Sequence, residues 1–177
     1  MATTSTKSPP RIEEQDHFES ALIFKNRVEE SDIEEMTQFH DDLFPVKYEK
    51  PFFDKLIAHQ HQGSRTSKIA GTIMTILSRR KSDNKLVGMA SVRLKECEDT
   101  WHWLFGYTDA YVMTFGVHRE YRRKGLAREL MRRVVIEMKI RGCIDLTLHV
   151  QESNEGAIAF YRAQGFRIAS REIEYYS

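Results

Sequence analysis

The stretch from Ala110 to Gly142 does most to limit what this chain can become. It opens with AYVMTFGV, apolar almost throughout, passes through HREYRRKG, and continues as LARELMRRVVIEMKIRG. A short apolar run rich in aromatic and β-branched residues predicts a strand central in a sheet. Leu126, Leu130, Val134 and Met138 then recur every four residues, with Ala127, Met131 and Val135 beside them. That spacing predicts an amphipathic helix, and Gly142 supplies its stop. Between strand and helix stand three cations, Arg122, Arg123 and Lys124, and one glycine, Gly125.

The rest of the chain supplies elements of both kinds. ALIFKNRV (Ala21–Val28) predicts a first strand. SDIEEMTQFHDDLF predicts a helix, with Ser31 or Asp32 as cap and Glu34 or Glu35 completing a capping box. Ile33, Met36, Phe39, His40 and Leu43 fall on one face of it. EKPFFDKLIAHQ reads as a second, short helix with Pro51 in its first turn. KIAGTIMTILSRR and KLVGMASVRLKEC read as a hairpin across KSDN. WHWLFGYTD is an aromatic loop, CIDLTLHV a strand, and NEGAIAFYRAQG a helix capped by Ser153 or Asn154 and stopped by Gly165. FRIASREIEYY reads as a last strand. The predicted order is β-α-α-β-β-β-α-β-α-β, an α/β or mixed α+β arrangement around one sheet. Residues 1–19, rich in Ser, Thr, Pro and Glu, read as a mobile tail ahead of one domain over residues 20–177.

A length of 177 residues suits a single domain, and 41% hydrophobic with 30% charged residues suits a soluble globule. The net charge of +1 gives no global field for nucleic acid or anionic membrane, so basic function has to be local. Neither specific nucleic-acid binding nor membrane attachment is expected. Cys97 and Cys143 show no metal-ligand spacing and read as free intracellular thiols, so no metal is expected. No apolar run reaches the length of a membrane helix. The N-terminus lacks the apolar segment of a secretory signal and turns acidic too early for a mitochondrial presequence. The expected location is the cytoplasm, with the nucleus as a second one.

The cations before the helix carry the functional reading. A helix N-terminus exposes unpaired backbone N–H groups and a partial positive charge, and a glycine lets a ligand approach the backbone. Together with Arg122, Arg123 and Lys124 this is a pyrophosphate site. A Walker A loop needs two glycines bracketing four residues before Lys-Ser/Thr, and a dinucleotide fingerprint needs G-x-G-x-x-G; neither is present. A solvated charge run would not place its cations at a helix start after an apolar strand.

Arg122-Arg123-Lys124-Gly125-Leu126-Ala127 meets the pattern Arg/Gln-x-x-Gly-x-Gly/Ala and resembles the acetyl-CoA pyrophosphate loop of the GNAT acetyltransferases. LTLHVQESNEGAIAFYRAQGF resembles the later GNAT core, with Asn154, Ala157, Tyr161, Gly165 and Phe166 at the positions of N-x-x-A-x-x-x-Y-x-x-x-G-F. LFPVKY, YVMTFGV, LHVQESN and EYY together resemble the NatE-type N-terminal acetyltransferases over residues 21–177. The NatF type shares several of these features. A longer hairpin around Ile73–Asn84 and the loop Trp101–Trp103 depart from the NatE pattern.

The resemblance implies a GNAT fold: one central, mostly antiparallel twisted sheet, split near the cofactor, with helices on both faces. It implies acetyl-CoA held by the backbone of Phe115, Gly116 and Val117, freed by a bulge within Met113–Val117. Arg122, Arg123, Lys124, Gly125, Leu126, Ala127, Asn154 and Tyr161 would complete the cofactor site. Tyr111 and His149 would deprotonate the substrate amine through an ordered water. Phe44, Pro45, Val46, Tyr48 and Met113 would line a slot for a first side chain such as methionine, and Tyr175 and Tyr176 would cover the peptide backbone. The expected substrates are protein or peptide N-termini, and a NatA-type complex at the ribosome is the expected partner. The chemistry agrees with such substrates: an α-amine has a pKa of ~7.7–8.0 against ~10.4 for lysine, so a modest base suffices. A histidine of pKa ~6.5 is such a base. Three alternatives stay open: a GNAT acting on lysine or small amines, a weakly active subunit of a larger assembly, and an RNA or ribosome binder using the basic helix. The GNAT sheet also ends in a two-stranded hairpin, and no residues for its second strand follow Tyr176. The expectation is that the natural chain is longer; the alternatives are that FRIASREIEYY pairs directly with CIDLTLHV or that a partner chain fills the gap.

Overall fold

The computed structural model describes residues 21–44, 47–60, 72–96 and 108–170. Through them the chain runs β1 (Leu22–Lys25), α1 (Ile33–Leu43), α2 (Lys50–Ala58), β2 (Ile73–Arg80), β3 (Leu86–Glu96), β4 (Thr108–Val117), α3 (Leu126–Ile140), β5 (Cys143–Leu148) and α4 (Glu155–Ala163). The strands form one sheet in chain order, with β1 to β4 paired antiparallel. β5 takes its place beside β4 through α3, the helical crossover that turns an antiparallel meander into a mixed sheet. Two compact units divide the chain at Thr147/Leu148. The first holds β1 to α3 and β5 as far as Thr147; the second holds α4.

Helices on both faces explain why β2 is buried along nearly its whole length. On one face Met36 and Phe39 of α1 and Phe53 and Leu56 of α2 pack with Ile73, Leu77, Leu86 and Met89. On the other, α3 lies against β3, β4 and β2 and buries Leu126, Leu130, Val134 and Met138, the stripe read from the four-residue spacing. Each such side chain contributes ~1.5–3 kcal/mol by leaving water. α3 ends at Ile140, with Arg141 as its C-cap and Gly142 following at φ 77, a left-handed conformation that glycine adopts without strain. The β2–β3 turn falls at Lys81–Asn84, the KSDN of the hairpin reading, with the Arg80 N–H donating to the Lys85 carbonyl at 2.9 Å.

Several boundaries differ from the sequence reading. The first strand is shorter, Leu22–Lys25. The capping box does not use Ser31 or Asp32 with Glu34 or Glu35. It forms one turn earlier, around a 3-10 turn at Glu30–Asp32, where the Glu29 N–H donates to Asp32 Oδ2 at 2.8 Å. The reason is a buried cation. Arg79 Nη2 donates to Asp32 Oδ1 at 2.8 Å, Lys25 Nζ reaches Asp32 Oδ2 at 3.1 Å, and Glu35 accepts from Arg79 and from the Leu86 N–H. Burial pushes the Asp32 carboxyl up, but the Glu29 N–H and the Lys25 ammonium outweigh it and hold it below its usual range. At the other end, residues 166–170 carry no strand. The Phe166 N–H instead donates to the Tyr161 carbonyl at 3.1 Å, which binds the start of FRIASREIEYY to the end of α4. The rest of that segment, residues 1–19 and the tryptophan loop lie outside the described residues. Among the described residues no helix is long and apolar enough to cross a membrane, and no group of three or more His, Cys, Asp or Glu could hold a metal.

Candidate active site

The site begins with an irregularity in β4. Its register with β3 runs Gly88↔Val117, Met89↔Gly116, Ala90↔Phe115, Ser91↔Thr114, and then jumps to Val92↔Val112. Met113 is therefore an extra residue, a β-bulge that leaves its own backbone groups outside the β3 ladder. Its side chain packs on the core under α1 and α2. This is where the resemblance put the bulge, inside Met113–Val117.

Next to the bulge the strand carries an aromatic wall. Phe44 follows the last residue of α1, and its ring rests on Gly116. A Cβ at Gly116 would stand 2.9 Å from Phe44 Cζ, too close for the ring to stay where it is, and a tight 3.3 Å from Leu43 Cδ1. Glycine lets the ring come this close without shifting. Behind Phe44 lies His40, stacked on it at 4.4 Å between ring centroids and 25° between planes. Tyr48 meets the imidazole edge-on at 4.6 Å, Phe53 does so at 6.1 Å, and Phe52 stacks on Tyr48 at 4.0 Å. His40 is 1% exposed, and neither ring nitrogen has a hydrogen-bond partner among the described residues. Burial pushes its pKa down to about 4, against a weaker pull upward from Asp41, so the ring is neutral at physiological pH. Of the residues expected to line the first-residue slot, Phe44 lies against Gly116 of β4, and Tyr48 and Met113 pack on the core beneath α1 and α2; Pro45, Val46, Tyr175 and Tyr176 lie outside the described residues.

Beyond Val117 the chain makes a 3-10 turn at Arg119–Tyr121 and enters the cationic loop. Arg122 Nε donates to the Val117 carbonyl at 3.2 Å, which ties the loop back to the end of β4. Lys124 Nζ lies 5.5 Å from the centroid of the Tyr121 ring. Arg123 and Gly125 both have positive φ, 62 and 92. Gly125 is the N-cap of α3, no side chain caps the helix, and a Cβ there would project into open space with nothing within 4 Å. Leu126 turns inward and is buried, while Arg122, Arg123 and Lys124 are exposed around the opening. Uncapped N–H groups at a helix start, open space above them and exposed cations beside them fit the pyrophosphate of acetyl-CoA.

Tyr111 is half-buried on β4, with Lys95 Nζ 5.0 Å from its ring centroid. It belongs to the first unit with Phe115–Val117 and Arg122–Ala127; His149, Asn154 and Tyr161 belong to the second. His149 is exposed just past β5. Asn154, not Ser153, caps α4: its Oδ1 accepts from the Ala157 N–H at 3.1 Å. Tyr161 is half-buried between Phe160 and Phe166, and burial pushes its phenol up to about 12, so it stays protonated at neutral pH. The place of His40 behind Phe44 is not evident from sequence. Its only signal there was a place on the apolar stripe of α1.

Comparison with known proteins agrees with this geometry. Residues 33–166 match the Acetyltransferase (GNAT) family. The histone acetyltransferase MCC1 of Arabidopsis thaliana is 26% identical over 158 residues, which cover 82% of this chain and 60% of that protein. The chain spans 35% and 46% of the lengths of two further curated relatives. Among solved structures, Arabidopsis thaliana NAA60 in complex with a bisubstrate analogue superposes with a TM-score of 0.70 at 25% identity, over 88% of each chain. Arabidopsis thaliana Naa50 in complex with the bisubstrate analogue CoA-Ac-MVNAL does so with a TM-score of 0.67 at 27% identity, over 89% of this chain and 90% of that one. With the family match spanning most of the sequence and a bulged strand leading into a cationic loop at a helix start, the chain belongs to the GNAT family of acetyltransferases, which take their acetyl group from acetyl-CoA.

Proposed function

We propose that this enzyme acetylates the α-amine of protein N-termini, with a preference for methionine followed by an apolar residue. The observation that carries the reading is the seat of Phe44 on Gly116, which sets an aromatic wall against the strand that also bears the Met113 bulge. An apolar first side chain gains by burial against such a wall. The likeness to Naa50, whose bound analogue carries a peptide written MVNAL, supports the same choice.

Bound acetyl-CoA supplies the activated acetyl thioester. The backbone of Arg123–Ala127 and the cations Arg122 and Lys124 would hold its pyrophosphate, and the backbone of Met113–Val117 its arm. Tyr111 and His149 are each assigned to the deprotonation of the incoming ammonium through an ordered water, the proton ending on the His149 imidazole while the neutral Tyr111 phenol only orients the water. The task is modest, since roughly one α-amine in ten is already neutral at pH 7, against fewer than about one lysine in a thousand. Tyr161 keeps its proton and is assigned to donate a hydrogen bond to the thiol end of the cofactor, and Asn154 orders the helix that carries it. The proposal extends to work in the cytoplasm beside a NatA-type complex at the ribosome. The sequence resemblance and the exposed Arg119 and Arg128 outside the loop support that extension.

A second reading, acetylation of lysine side chains, draws support from the similarity to a histone acetyltransferase. One experiment separates the two. Purified protein is given acetyl-CoA and short peptides varied at their first two residues, with an N-terminally blocked peptide bearing a free lysine. Met-apolar peptides are expected to react fastest. Faster acetylation of the blocked lysine peptide would replace the N-terminal reading with the lysine one.

A further inference from the structure

We infer that His40 is a positioning residue for substrate selection: its ring fixes Phe44 against Gly116 and so holds the wall that receives the first side chain of the peptide. The inference rests on the N-terminal reading above and adds a residue to it. Three observations carry it. First, His40 is 1% exposed, so it cannot touch a substrate itself; whatever it does passes through its neighbours. Second, those neighbours are the slot candidates. It lies face to face with Phe44 at 4.4 Å and edge-on to Tyr48 at 4.6 Å, the two described residues of the LFPVKY segment assigned to the first side chain. Third, no hydrogen bond explains a histidine here. Both ring nitrogens lack partners among the described residues, and the rings around them are Phe44, Tyr48, Phe52 and Phe53. The contribution of the side chain is therefore its flat ring.

The geometry around Phe44 shows why the ring matters. Phe44 follows the end of α1, with its N–H bonded to the His40 carbonyl at 2.9 Å, and the chain beyond it leaves the helix. Its ring tip is stopped by the Gly116 backbone and one face is covered by the imidazole. Removing the imidazole opens space behind that face, into which Phe44 can rotate. The wall then no longer stands at a fixed distance from β4. A large first side chain loses more by this than a small one, and the cofactor loop, on the far side of Val117, is untouched.

The test compares wild type, His40→Ala, His40→Leu and His40→Phe on peptides starting with methionine or alanine, with KM and kcat measured for peptide and for acetyl-CoA. For His40→Ala, KM for the methionine peptide should rise ~10-fold, the scale of a misfitted apolar side chain, with kcat and the acetyl-CoA KM nearly unchanged. The alanine peptide should be far less affected. His40→Leu keeps the core filled without a flat ring and should shift the same KM in the same direction, which covers the case of an unfolded alanine variant. His40→Phe should restore the methionine KM to within ~3-fold of wild type. A uniform loss of kcat across peptides, or a wild-type methionine KM in His40→Leu, would overturn the inference while leaving N-terminal acetylation intact. Wild-type protein that acetylates only the blocked lysine peptide would remove the N-terminal reading and this inference together.

Discussion

Replacing His40 with phenylalanine should also remove an acid sensitivity from the core. In the folded chain the imidazole has its pKa pushed down from 6.5 to about 4 by burial, with Asp41 as the charge pulling the other way and only aromatic rings against it from α2 and the segment before it. Unfolding returns the ring to water, where it binds a proton more readily. A base with a depressed folded pKa therefore contributes stability that is complete above the unfolded value and is lost as pH falls toward the folded one. At ~1.36 kcal/mol per unit, a fall from 6.5 to about 4 corresponds to ~3.4 kcal/mol in full. About 2 kcal/mol of that is gone by pH 5, and almost none at pH 7.5. The assay is urea unfolding of wild type and His40→Phe at pH 7.5, 6 and 5. Carboxylates and the other histidines titrate alike in both proteins, so their effects cancel in the difference. The variant should match or exceed wild type at pH 7.5, because it leaves no imidazole nitrogen buried without a partner, and should lead by a further ~2 kcal/mol at pH 5. Equal pH dependence in the two proteins would refute the reasoning, as would a His40 titration near 6.5 in the folded state.

Three further outcomes follow from the site and its supports. Gly125→Val places a β-branched residue at φ 92 and a side chain in the open space at the helix start, so acetyl-CoA affinity by calorimetry should fall at least ~10-fold, with strain of ~1–2 kcal/mol in the fold. His149→Ala and Tyr111→Phe should each lower kcat by ~10²-fold with circular dichroism unchanged, and wild-type turnover in either would remove that residue from proton transfer. Arg79→Met takes away the buried cation paired with Asp32 and Glu35 and should lower stability by ~3 kcal/mol in chemical denaturation, while Asp32→Asn in the same chain should recover part of the loss.

Much of the fold was legible because it rests on period and punctuation. The four-residue recurrence of Leu126, Leu130, Val134 and Met138 gave α3 and its buried face, and Gly142 gave its end. Within the candidate site, the glycine at the start of α3 was legible, because backbone chemistry dictates the residue type at Gly125. What stayed hidden depends on contacts between residues far apart in the chain. Glu35 reads as a capping acid because Ser31 and Asp32 stand just before it, yet Arg79 of β2 draws both acids inward and the cap moves to Glu29. Phe166 reads as the start of a strand because FRIASREIEYY is rich in strand formers, yet its N–H is taken by the carbonyl of Tyr161. Gly116 looks like any glycine in a strand until the Phe44 ring is seen against it.

These hidden contacts share a logic centred on α1. At its start, Asp32 and Glu35 bind Arg79, which also donates to the Asn84 carbonyl, and Glu35 accepts from the Leu86 N–H. The beginning of the helix is thereby locked to the β2–β3 turn by charge-assisted bonds in a poorly solvated setting, where losing one partner strands another. Eleven residues later, a span of ~16 Å, the other end delivers Phe44 onto Gly116 of β4. A helix held at only one end would let its far end swing, and a wall that swings cannot discriminate one side chain from another. The polar lock at the start and the aromatic stack of His40 on Phe44 at the finish solve the same problem at the two ends of one strut. The polar lock is insensitive to the peptide, whereas the stack lies directly behind the surface that meets it. Substitutions at Arg79 should therefore act on every substrate through the folded fraction, and substitutions at His40 should act on large first residues through KM.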